Sequence, residues 1–209
     1  MIHGAPLTIL HEEDEILAVD KPPGLPSTGR DLDDPECVQW RLQKQAGHPV
    51  WAVHQLDKDT SGVLLFARHK RWVESWQKKL KAGSKVYQAI VHGSPPWERM
   101  VVDAPLTRRG KLMRVDPDGK PAKTTLSLTI RGSEHALIEA RIHTGRTHQV
   151  RVHLAHLGHP LVGEKMYRDP PCDLAARHAL HAWRLKIAGR TIEAPLPADM
   201  REMRSVLLK

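Results

Sequence analysis

Leu126, Leu128 and Ile130 alternate with Ser127 and Thr129, and beyond Gly132-Ser133 the residues Ala136, Ile138, Ala140 and Ile142 alternate with Leu137, Glu139 and Arg141. A side-chain period of two puts successive residues on opposite faces of a strand, so two half-buried strands joined by a tight turn are expected here. Strands joined so closely run antiparallel, because a parallel return needs a crossover of a dozen or more residues. Whatever else the chain does, it has to build an antiparallel sheet.

Further strands are expected at 7–10 and 16–19, which bracket the polar turn 11–15, at the apolar run Val63-Leu64-Leu65-Phe66-Ala67, and at 84–93, where Tyr87, Ala89 and Val91 share a face. A late strand over 180–187 turns at 188–191 into 192–197. Asp33-Asp34-Pro35-Glu36 supplies the acidic cap, early proline and following acid of a helix start, with Gly47 as its end. Cys37, Val38, Trp40 and Leu42 give that helix a modest apolar face interrupted by Arg41 and Lys44, so a peripheral position is expected. Trp72, Trp76 and Leu80 at helical spacing before Gly83 predict a helix over 70–81 whose Trp stripe packs in the core. Val150, Leu154 and Leu157 face inward from a third helix stopped by Gly158 and Pro160, and Met200, Met203 and Leu207 do so from a fourth.

Forty per cent hydrophobic content over 209 residues supports a real core, in one domain or at most two small ones, since domains cluster at roughly 100 to 200 residues. No repeat, low-complexity tract or linker divides the chain, so residues 1–209 are expected to form one domain. With 32 Lys and Arg against 24 Asp and Glu the formal charge is +8, which favours a polyanionic partner. Residues 105–123 concentrate Arg108, Arg109, Lys111, Arg114, Lys120 and Lys123 among turn formers; such a loop must lie in solvent or against phosphates. No apolar run reaches the roughly 20 residues of a spanning helix, and residues 1–6 lack a signal-peptide form, so a soluble cytoplasmic protein is expected. Cys37 and Cys172 sit apart without a second Cys at metal spacing and are read as free thiols. Of the five histidines between His143 and His159, His153 and His156 are three apart, but no carboxylate or Cys in the stretch completes a ligand set. No metal is expected, and helix capping and RNA-facing hydrogen bonds are the uses assigned to these rings.

Val53-His54-Gln55-Leu56-Asp57-Lys58-Asp59-Thr60-Ser61-Gly62 is a compact polar loop directly before the apolar run 63–67. A loop anchored on a buried strand can hold a reactive side chain rigidly, which makes Asp57 the candidate; the same residue types also serve as plain turn formers. His-Gln-Leu-Asp-x-x-Thr-Ser-Gly resembles the signature loop of the RluA family of RNA pseudouridine synthases, usually His-Arg-Leu-Asp-x-x-Thr-Ser-Gly, in which the Asp is catalytic. The resemblance continues through Asp20-Lys21-Pro22-Pro23-Gly24, Lys85-x-Tyr87-x-Ala89 and Thr144-Gly145-Arg146-Thr147-His148-Gln149-Val150-Arg151-Val152-His153. It extends to Leu161-Val162-Gly163-Glu164-Lys165, and to Leu180-His181-Ala182 with Ala194-Pro195-Leu196-Pro197. One departure is Gln55, where the family carries Arg.

The resemblance implies an α+β fold, a single domain with a mixed, largely antiparallel sheet, flanking helices and a basic central cleft; the accessory RNA-binding domain that many members carry before it is not expected, for want of room in 209 residues. It implies isomerisation of uridine to pseudouridine in structured RNA, a tRNA or ribosomal RNA stem-loop; a monomer is the default expectation. That reaction breaks the N1–C1′ bond, rotates the uracil and rejoins it through C5, so no cofactor is expected. Asp57 acts ionised, as nucleophile or stabiliser of the electron-poor sugar; burial alone opposes that form, and a neighbouring cation restores it. The family's pattern assigns Arg146 to this pairing and Tyr87 to the uracil, where it takes or relays the C5 proton. His54, Gln55, Thr60, Lys21, Lys85, His148, Gln149 and Arg151 are the implied substrate contacts; for Lys21 a solvated side chain is an equal reading. Gln55 can hydrogen-bond an orphaned base but brings no charge, so altered base flipping or a different RNA context is expected. The competing readings are an RNA-binding protein of the same fold without turnover, and a generic RNA chaperone, for which the chain has few aromatics to stack bases.

Overall fold

The structure is a computed structural model that describes residues 5–30 and 34–208. β1 (Thr8–Glu12) and β2 (Ile16–Lys21) pair antiparallel across the acidic turn. α1 (Val38–Ala46) begins later than the acidic cluster predicts. Asp33, like residues 1–4 of the N-terminal reading, lies outside the described residues. Asp34 spends its carboxylate on the backbone N–H groups of Arg30 and Glu36, and the cap falls to Cys37, whose Sγ accepts from Trp40 N at 3.4 Å. Gly47 ends the helix as expected, in the left-handed region at φ 73°. The peripheral placement does not hold: Val38 and Leu42 are 0% exposed, and Cys37 is buried with them.

β3 (Trp51–Ala52) and β4 (Ser61–Ala67) follow, the second buried along its whole length. A 3-10 turn, Lys70–Trp72, leads into α2 (Val73–Ala82). Next come β5 (Ser84–His92), β6 (Arg99–Asp103), β7 (Leu106–Arg109) and β8 (Leu112–Val115). β9 (Lys123–Arg131) and β10 (His135–Ile142) are the hairpin predicted from alternation. α3 (Gln149–His156), β11 (Leu180–Ile187), β12 (Arg190–Glu193) and α4 (Ala198–Leu207) complete the chain. Among the described residues no helix is long and apolar enough to cross a membrane, and Cys37 and Cys172 are free and buried.

These elements gather into two compact units, Met1–Ser84 with Ala182–Pro195 and Lys85–His181 with Leu196–Lys209. In the first, the strand order is β1-β2-β4-β11, with β3 on β4 and β12 on β11. Trp76 and Leu80 of α2 bury against Ile16, Val63, Leu65, Leu185 and Ile192, with Trp72 packed at the edge. The Trp stripe is therefore core, each such side chain contributing on the order of 1.5–3 kcal/mol by leaving water.

In the second unit the order is β5-β10-β9-β6, all antiparallel. Ala136, Ile138 and Ala140 lie inward as the alternation requires, yet Leu137 on the opposite face is buried too. The reason is α4, whose Met200, Met203 and Leu207 cover Leu137 and Ile90. Residues 105–123 are not the loop that turn formers suggest: β7 and β8 pair as a hairpin turning at Gly110, φ 61°. Its buried Leu106 packs with Ala122 and Val152, while its four cations, Arg108, Arg109, Lys111 and Arg114, are exposed, as are Lys120 and Lys123 beyond it. The α+β class expected from the resemblance is the class observed.

Candidate active site

The Asp57 loop is sewn to the first unit through its backbone. Ser27, 3% exposed, donates from Oγ to Leu56 O at 2.9 Å and accepts from Leu56 N at 2.8 Å, fixing the residue before Asp57 on both sides. Lys58 O, just after Asp57, accepts from Lys21 Nζ at 2.8 Å and from Gly24 N at 3.0 Å. Asp57 O accepts from Thr60 N at 3.1 Å, closing the turn. At the loop's exit Gly62 has φ 111°, and a Cβ there would stand 2.2 Å from Ala182 O, so only glycine fits. The Asp57 side chain is half-buried, on a support whose neighbours are tied to Lys21, Gly24 and Ser27 of the preceding segment.

His54 accepts from Leu65 N at 3.2 Å through Nε2. A backbone N–H can only donate, so that ring nitrogen is the acceptor. Gln55 is exposed and donates from Nε2 to Thr28 Oγ1 at 3.1 Å. Thr60 is buried at 2%. Lys21, for which phosphate contact and solvation were the readings, is 0% exposed; its ammonium also donates to Pro22 O at 2.9 Å, so neither reading describes it.

The Arg146 loop belongs to the second unit and is organised by Gln149 at the start of α3. Gln149 Oε1 accepts from Thr144 Oγ1 at 2.7 Å and Arg146 N at 3.1 Å, while Nε2 donates to Lys123 O and Thr124 Oγ1 on β9. One buried amide thus binds the Thr-Gly-Arg turn to the sheet. Arg146 is half-buried and aimed by its Nε, which donates to Pro121 O at 3.0 Å. Lys85 and Tyr87 project from β5, opposite Ile142 and Ala140. The turn passes close to Lys85: a Cβ on Gly145 would meet Lys85 Nζ at 3.7 Å. Burial lowers the Lys85 pKa from its ordinary value, and Tyr87 is 9% exposed.

His148 caps α3 with φ 53°, a left-handed conformation costing a non-glycine residue on the order of 1–3 kcal/mol. Its Nδ1 lies 2.5 Å from Tyr167 OH, which in turn accepts from Met113 N. Arg151 points inward, 5% exposed, and forms a two-bond fork with Glu164 at 2.9 and 2.8 Å. Burial opposes ionisation of Glu164, but the Arg151 guanidinium holds its pKa below the usual carboxylate value. Beside them His178 is pushed down to about 3, first by burial and then by the Arg151 charge. Three further histidines of the His143–His159 stretch make internal hydrogen bonds: His143 to Thr125, His153 to Thr124 and Ala104, His159 to His92 O. Ser27 was not singled out by sequence reasoning, since a lone serine in a proline-rich exit carries no signal of a partner 29 positions away.

The model of the RNA pseudouridylate synthase family matches residues 15–156. An uncharacterized RNA pseudouridine synthase of Chloroflexus aurantiacus is 45% identical over 161 residues, covering 71% of this chain and 51% of that protein. Ribosomal large subunit pseudouridine synthase D of Neisseria meningitidis is 34% identical over 232 aligned residues, covering 96% and 61%. The chain thus spans about half to three fifths of the length of these relatives. In fold it is similar to human RNA Pseudouridylate Synthase Domain Containing 4, with a TM-score of 0.80 at 24% identity over 95% of this chain and 92% of that one.

Proposed function

The chain belongs to the RNA pseudouridylate synthase family, of the RluA type, and on that premise we propose that it converts uridine to pseudouridine within RNA. Residues 1–209 act as one catalytic domain, a monomer working in the cytoplasm on tRNA or ribosomal RNA stem-loops without a metal or other cofactor. The target base leaves its stack at a cost of a few kcal/mol, least in a loop. As the N1–C1′ bond breaks and a C5–C1′ bond forms, C5 loses its hydrogen and N1 gains one, so the product is an isomer and nothing is consumed. Asp57 supplies the carboxylate at the sugar or the base, Arg146 the cation that keeps it ionised, and Tyr87 the group that packs on the uracil and takes or relays the C5 proton.

The observation that carries this reading is the Asp57 loop itself, fixed at Leu56, Asp57 and Lys58 by separate hydrogen bonds; a reactive group gains most from rigid positioning. Lys21, Gln149 and Arg151 are engaged within the protein and build the site from inside. Gln55, His54, Lys85 and His148 are left as RNA contacts, with Thr60 shaping the loop.

RNA carrying tritium at uridine C5 tests the reaction, since each turnover releases that label to water. Asp57→Asn is expected to lower release by about 10⁴-fold or more with RNA binding kept. A binding protein without turnover, the reading that Gln55 alone favours, shows no release before or after the substitution.

A further inference from the structure

On the first unit, beside the His54-Gln55 side of the Asp57 loop, lies an open cavity of about 600 Å³, within the range of small-ligand sites. His54 and Gln55, proposed above as RNA contacts, form one side of it, and Asp57, Tyr87 and Arg146 are not among its lining residues. Three of its lining residues are glutamines drawn from separate elements: Gln39 of α1, Gln55 of the loop and Gln77 of α2. Trp51 of β3, half-buried, adds an indole, and Lys70 stands exposed beside them.

The amides have a common orientation. Gln39 Nε2 donates to Val50 O at 2.8 Å, and Gln77 Nε2 donates to Val53 O at 3.3 Å. A carbonyl can only accept, so these two amides cannot be flipped: their nitrogens face the protein. Gln55 Nε2 is directed in the same way to Thr28 Oγ1. Among the described residues no hydrogen bond reaches the Oε1 of any of the three. The wall is therefore rich in acceptors beside an aromatic ring, with the exposed Lys70 and Glu74 both at its edge. That combination suits a planar heterocycle carrying an exocyclic amino group.

We infer that this cavity is a subsite for an amino-bearing nucleobase of the RNA substrate, adenine, cytosine or guanine, adjacent to the target uridine. The inference rests on the proposed reaction for the identity of its ligand. Uracil fits poorly, because its two carbonyls meet the glutamine acceptors and only N3–H can donate. The subsite gives the enzyme a preference at a flanking position, read by Gln39 and Gln77 while Trp51 stacks on the base.

The test is a titration of the full chain with adenosine, cytidine and uridine, which lack phosphate and so leave the basic surface unengaged. It is followed through the side-chain amide resonances of Gln39 and Gln77 in ¹H–¹⁵N spectra. Adenosine and cytidine are expected to shift both amides and to bind about tenfold tighter than uridine, and Gln77→Leu to remove that preference. Equal binding of all three, shifts confined to other residues, or no shift at the solubility limit overturns the inference. The titration reads the cavity without turnover, so it fails or succeeds separately from the tritium-release test of the reaction.

Discussion

Lys21 gives its ammonium to the carbonyls of Pro22 and Lys58 inside the protein, which makes it a latch on the residue that follows Asp57. Replacing it by Met removes two charge-assisted hydrogen bonds, leaving Lys58 O with only its bond from Gly24 N and taking the ammonium from Pro22 O, at about 2 kcal/mol. Lys21→Met is therefore expected to lower both the melting temperature and turnover while RNA affinity stays near that of the parent; an unchanged melting temperature contradicts the latch. Gln55, exposed and holding Thr28, stands where an Arg is usual. Gln55→Arg is expected to change which uridines are modified or how fast, as mapped on a common RNA pool, and identical sites and rates dispose of the idea. The candidates Asp57, Tyr87 and Arg146 were legible because each sits in a run of residues that resembles a known pattern. The inward roles of Lys21 and Arg151 were not, because a charged side chain reads the same in sequence whether it meets water, phosphate or a buried carboxylate.

Elements differ in the same way. The β9–β10 hairpin and the Trp face of α2 were plain from periodicity, since burial of one face forces a repeat on the residues. The start of α1 and the strands β6, β7 and β8 were not: Asp34 turned out to cap a turn upstream, and exposed strands have no need to alternate cleanly. The β7–β8 hairpin still carries its cations outward, as charge alone demanded. Arg108→Glu with Arg109→Glu is expected to weaken RNA binding and to reduce the slope of log affinity against log salt by about 2, with the melting temperature unchanged because both side chains are exposed. Unaltered salt dependence removes the hairpin from the RNA surface. At the entry of β4, Gly62→Ala sets a Cβ against Ala182 O in a left-handed backbone, and a loss of about 3 kcal/mol or more in urea unfolding is expected.

For the molecule as a whole, His178 and His92 add to the response to acid. His178 is pushed to about 3 by burial and then Arg151, and His92 to about 4 by burial and then Arg168. Both are neutral in the fold, while in the unfolded chain they titrate near 6.5. Their contribution to stability is complete above that value and is lost as pH falls through the interval toward 4 and 3. The melting temperature is thus expected to drop between pH 7 and 4, and His178→Gln to flatten the drop; a flat profile for the parent chain contradicts it. The formal charge of +8 suits a polyanionic partner, and the proposal turns on whether Asp57 isomerises uridine in RNA. The measurement is to incubate the purified chain, with no cofactor added, with RNA from cells lacking its gene and to map pseudouridine at single-nucleotide resolution. New pseudouridines at discrete tRNA or ribosomal RNA positions, absent with Asp57→Asn, are predicted; no new pseudouridine in any RNA, with RNA binding intact, contradicts the account.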